Sequence, residues 1–163
     1  MGKLTNFQNL GMTVMKITTE LLNNQDLCKL LYYTNEDPLN QPDITNTKES
    51  LFNKNIHIVP AIPIEDYDGS YLNVVVDTIS TMGSKGSAFN TVSIRFDILC
   101  PIDLWAIHST QLRPFAIMSE IDKFMRLSKK TGIGEVENVS ATFVAPTETL
   151  AGYSLFYYGT EFK

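Results

Sequence analysis

Asn90–Cys100, NTVSIRFDILC, decides the class of fold: Val92, Ile94, Phe96, Ile98 and Cys100 alternate with Thr91, Ser93, Arg95, Asp97 and Leu99. A period of two predicts a strand with one buried face. Upstream, residues 71–80, YLNVVVDTIS, are rich in the same β-branched and aromatic types, which fit a pleated, half-buried surface. The TMGSKGSAF between them contains Gly83 and Gly86 and is too long for a two-residue turn. It predicts a long, protruding hairpin loop.

Downstream of the deciding strand, LRPFAIMSEIDKFMRLSKK places Ile117, Met118, Ile121, Phe124 and Met125 on one stripe, the spacing of an amphipathic helix. Pro114 suits its first turn, Lys129 and Lys130 suit the negative end of its dipole, and TGIG ends it. EVENVSATFVAP and GYSLFYYGTEF read as two further strands. In the last, alternation sets Tyr153, Leu155 and Tyr157 against Phe156 and Tyr158. Both faces are apolar or amphipathic, which predicts cover from the domain's own helix on one side and from a neighbouring subunit on the other.

Towards the N-terminus, ITTELLNNQDLCKLLYY predicts a helix over residues 18–33 with a break near Asn23. Thr18, Thr19, Asn24 and Asp26 are candidate caps. Residues 34–48 are dense in Asn, Asp, Pro and Thr and read as a loop. A short turn at ESLFN leads to IHIVPAIPI, where Pro60 and Pro63 restrict the chain to an edge strand or irregular extended structure. The expected architecture is α+β: an antiparallel sheet of about four strands, one or two helices packed on one face, and a long hairpin loop. Residues 1–163 form a single domain, with 1–16 as an N-terminal arm and 17–163 as the α+β domain.

Composition narrows the function. Eighteen acidic against thirteen basic residues give a net charge of −5 with scattered Lys and Arg, which argues against binding to a nucleic-acid backbone. No apolar run approaches the ~18–20 residues that span a bilayer, and neither a signal-peptide nor a myristoylation pattern opens the chain. The reading is a soluble, unprocessed protein. Its 19% charged residues are few for a free monomer's surface, so part of that surface is expected to face a partner. Cys28 and Cys100 lie far apart without C-x-x-C spacing and read as reduced, packed thiols.

No constellation signals catalysis. Asp97, Cys100, Asp103 and His108 are metal-ligand types in one short stretch, but they fit no regular ligand spacing. Cys100 with His108 is the one nearby Cys–His pair, and no G-x-S-x-G elbow occurs. MGSKGS lacks the Walker spacing, and the carboxylate pairs of IEDYDG, NEDP and SEID sit beside turns or on a polar helix face. We expect no catalytic residue, cofactor or metal.

The succession SIRFDILCPIDLW, LRPFAIMSEIDKFM, GIGEVEN resembles tail terminator (tail-completion) proteins of tailed bacteriophages. The resemblance covers about residues 20–160. It rests on an N-terminal helix, a Pro-rich loop, two long strands, a helix opened by Arg113, Pro114, Ile117, Glu120, Ile121 and Asp122, a glycine turn and closing strands. It implies a non-enzymatic subunit that assembles as a homohexameric ring on the end of the tail tube. The implied partners are further copies, the tube protein and a head-side neck or connector protein. The implied location is the virion, after assembly in the host cytoplasm. Candidate contact residues are Met82, Gly83, Ser84, Lys85 and Gly86 in the loop, with Trp105, Arg113, Tyr157 and Tyr158. Alternatives are another neck component, or a small cytosolic enzyme or ligand-binding domain using residues 97–108.

Overall fold

A computed structural model describes residues 6–62, 69–80, 91–108, 111–127 and 135–160. Helix α1 (Asn6–Leu22), helix α2 (Gln25–Tyr32) and the short helix α3 (Thr47–Leu51) come first. Strands β1 (Ile56–His57), β2 (Tyr71–Ser80) and β3 (Thr91–Pro101) follow. A small hairpin of β4 (Ala106–Ile107) and β5 (Gln111–Leu112) then leads into helix α4 (Arg113–Leu127), and β6 (Glu135–Val144) and β7 (Leu150–Thr160) close the described chain. This is an α+β fold whose main sheet has the order β1-β2-β3-β7-β6. All its junctions are antiparallel except β1 with β2, which is parallel.

The deciding strand behaves as its alternation requires. Val92, Ile94, Phe96, Ile98 and Cys100 are fully buried on the helix side, and β3 is the central strand, paired with β2 on one side and β7 on the other. The expected stripe of α4 packs onto it, with Ile117, Ile121 and Met125 buried. The expected hairpin loop, including Met82, Gly83, Ser84, Lys85 and Gly86, lies outside the described residues, as do Lys129, Lys130 and the TGIG turn.

Three expectations change. The sheet has five strands, not about four, because Ile56–His57 joins it as a two-residue edge strand. There are four helices among the described residues instead of one or two. The boundary drawn between residues 16 and 17 falls inside α1, whose inward positions Leu10, Ile17 and Leu21 are buried. The break expected near Asn23 is present, between α1 and α2, and it follows from chemistry: the Asn24 side chain, one of the candidate caps, accepts from Leu27 N at 3.1 Å and caps α2. Its amide also donates to Glu120 Oε2 at 3.2 Å, tying the start of α2 to α4.

The loop after α2 is ordered by its polar side chains. Gln25 brackets Ile44, donating to its carbonyl and accepting from its amide at 3.1 and 3.0 Å. Asp37 accepts from Asn40 at 2.9 Å and from His108 Nε2 at 2.7 Å. These bonds hold its carboxyl below the usual range, the Asn40 bond contributing most.

The C-terminal end of α2 is where the helical layer and the sheet are joined. A helix leaves its last carbonyls without partners, and here two side chains and one backbone amide from distant segments supply them. Arg113, with 0% exposure, donates from Nη1 to Leu30 O at 2.8 Å and Tyr33 O at 2.7 Å, from Nη2 to Asn35 O at 2.6 Å, and from Nε to Leu104 O at 2.8 Å. Leu31 O accepts from Ser70 N at 2.8 Å and Asn55 Nδ2 at 3.3 Å. Gly69 makes this approach possible, since its φ is +98° and a Cβ there would lie 2.2 Å from Leu31 O.

Candidate interface at the β6 edge

The residues singled out from the sequence do not share one surface. Arg113 is enclosed, and its guanidinium is committed to four carbonyls, so it is scaffold and not a contact residue of the folded subunit. Tyr157 is fully buried too: its ring meets Phe96 edge-on at 5.7 Å and its hydroxyl donates to Asp122 at 2.8 Å. Burial, with the Asp122 carboxylate beside it, pushes that phenol well above its usual range. Tyr158 is half-buried on the opposite face of the sheet, in register with Ser93. Trp105 is half-buried against the core and donates from Nε1 to Cys100 O at 3.3 Å.

The metal-type residues are dispersed by the fold. Asp97 turns to the face away from the helices, where it accepts from Ser154 at 2.6 Å and pairs with Arg95 at 3.0 Å. Arg95 reaches Asp77 as well, at 2.7 Å, and this network borders a groove of about 460 Å³ with Asn73 and Leu99. Cys100 is in the core, Asp103 is exposed, and His108 pairs with Asp37. Among the described residues, no three His, Cys, Asp or Glu side chains gather to hold an ion, and no helix is long and apolar enough to cross a membrane.

Both thiols are raised by burial, Cys28 to about 12 and Cys100 to about 11, so at neutral pH they remain protonated and unreactive. A colorimetric thiol reagent is expected to leave the native protein unlabelled and to find both thiols after unfolding. Labelling at the same rate in both states would refute their enclosure.

Trp105 leads to a feature that the sequence reading passed over. Its ring lies 6.5 Å from Phe143, which lies 5.7 Å from Tyr153, which lies 5.2 Å from Phe115. Phe143 comes from β6, Tyr153 from β7 and Phe115 from the first turn of α4, so the cluster spans the end of the helix layer. Phe115 and Phe143 are 47% and 56% exposed. Leu112 and Ile102 are also largely exposed nearby in sequence. The available signal was position: Phe115 lies off the buried stripe of α4.

Beside the patch runs β6, an outer strand of the sheet. From Ser140 to Val144 it reads Ser-Ala-Thr-Phe-Val, without the Lys or Pro that commonly blunt an exposed edge. At its other end a register shift between Val136 and Asn138 bulges the strand, and β2 carries a matching shift between Val76 and Thr78. Bulges discourage edge pairing, so the regular, uncharged part of β6 is the more receptive part of its edge.

The described residues thus form an α+β fold with an open sheet edge flanked by an exposed aromatic patch. The chain belongs to the YomW family, whose model matches residues 24–158, a phage-derived, prophage-like protein family. It is therefore a phage-associated protein. No curated protein and no solved structure matches the chain.

Proposed function

We propose that the chain is a structural virion protein of a tailed phage, whose copies form a homohexameric ring that ends the tail tube and joins the tail to the head. Its partners in this reading are its own copies, the tube protein and a head-side neck or connector protein, and its role is not catalytic. It assembles in the host cytoplasm and resides in the virion neck. The observation that carries the reading is the uncharged β6 edge beside the Phe115–Tyr153–Phe143 patch, on a chain of a phage-derived family. Apolar aromatic surface of this kind favours protein contact, and a closed ring of head-to-tail copies is one way to occupy an open sheet.

Negative-stain images and light scattering of the purified chain are expected to show rings of about six subunits, the closed assembly that head-to-tail contacts allow. In the phage that encodes it, deletion is expected to give overlong tails detached from heads. A monomer at every concentration would overturn the ring. Tails of normal length left unattached would instead favour a connector role, the second reading within the neck.

A further inference from the structure

The two sides of the helical layer are unequal. Helix α1 lies against β2 and α4 against β3 and β7, while no helix makes an extensive contact with β6 among the described residues. The β6 side therefore leaves Phe115 and Phe143 in the open, with Tyr153 between them. On the β2 side, α1 turns Leu10, Ile17 and Leu21 inward yet leaves Met12 and Met15 60% and 43% exposed. One side lacks cover and the other carries an apolar surplus.

We propose that the exposed flank of α1 in one copy covers the aromatic patch on the β6 side of the next copy. This rests on the ring reading, and it names the two surfaces that meet. A contact between different surfaces of identical chains is head-to-tail, the geometry that closes into rings. Methionine suits the α1 side, because its flexible thioether adapts to aromatic rings. Gly11 lies in the same exposed flank with open space where a side chain would be, so a partner can approach the helix backbone.

Charge favours this pairing over a twofold contact of the patch with itself. Lys16 is exposed beside Met12 and Met15, and the other charged residue of α1, the exposed Glu20, follows one turn later. Asp103 and Glu148 are exposed where Ile102 N bonds Thr149 O at 2.9 Å, on the chain segments that lead into Trp105 and away from Phe143. Patch against patch would bring these carboxylates together, whereas α1 brings an ammonium to them.

The test uses the full chain with Met12→Cys and Phe143→Cys made separately and in combination, and a short bismaleimide as cross-linker, because native Cys28 and Cys100 are buried. Mixing the two single variants is expected to give cross-linked pairs that neither gives alone, and the double variant a ladder up to ring size. Met12→Glu and Phe143→Glu are each expected to reduce the assembly to monomers that keep the circular dichroism spectrum of the wild-type chain. Lys16→Glu should weaken the ring and Asp103→Lys in the same chain should restore it. Cross-linking of Phe143→Cys with itself would overturn the proposal in favour of a twofold contact. Rings that form normally, stay uncross-linked and survive Met12→Glu would overturn it while leaving the ring reading intact. A wild-type chain that never assembles would remove both.

Discussion

Arg113→Leu is expected to lower the stability of the fold by about 3–5 kcal/mol, because four enclosed carbonyls lose the side chain that donates to them. Against a total of ~5–15 kcal/mol this leaves many molecules unfolded at 37 °C. Among the described residues the guanidinium gains no carboxylate partner: its four bonds run to the carbonyls of Leu30, Tyr33, Asn35 and Leu104. Burial lowers its pKa below the usual guanidinium range, which marks enclosure of the charge as a cost that these bonds and the negative end of α2 offset. Leucine removes the charge but strands the carbonyls, and each buried polar group left unpaired costs about 1–3 kcal/mol. Arg113→Lys should recover little, since a point ammonium cannot span a fork of four acceptors. Urea unfolding followed by circular dichroism reads the effect, and a wild-type midpoint for Arg113→Leu would show that the network is dispensable. Because the lowered pKa belongs to a cation, loss of its charge belongs to strongly alkaline solution, and the contribution stays constant around neutrality.

Gly69→Ala is expected to cost about 3 kcal/mol by two separate routes. Alanine at φ +98° is strained by about 1–2 kcal/mol, and its Cβ would sit 2.2 Å from the carbonyl oxygen of Leu31. Backbone cannot rotate aside as a side chain can, so β2 must shift away from the end of α2, losing the Ser70 bond to the same oxygen. The melting temperature should fall by several degrees for a chain of this size. An unchanged melt would mean that the junction yields freely. Gly69→Ala and Arg113→Leu act on one helix end, so their combined effect should be less than additive.

The two positions illustrate what the sequence discloses. Strands β2, β3 and β7 and helix α4 were legible because period-two and helical stripes are direct images of a buried face, as Ile94, Phe96 and Ile98 or Ile117 and Ile121 show. The first half of α1 was not. Its Asn6, Asn9, Gly11 and Thr13 are poor helix formers, and burial of Leu10, Ile17 and Leu21 overrides them. Tyr157 is expected at a contact because tyrosine is enriched at interfaces, and Arg113 because the family resemblance implies it. Their true partners, backbone carbonyls and one distant carboxylate, leave no local trace in sequence. The Phe115–Tyr153–Phe143 patch escaped notice for a related reason, since its rings come from three elements that only the sheet order brings together.

That sheet order bears on the timing of synthesis. β7 is made after β6, yet it lies between β6 and β3. While a ribosome is still reading the codons for residues 150–160, β3 has one unpaired edge and β6 has no neighbour at all in the sheet. The receptive edge and its aromatic patch come into being together, with the insertion of β7. A nascent chain thus lacks the β6-side surface, and on the proposed pairing it cannot receive the α1 flank of a finished copy until translation has passed the last strand.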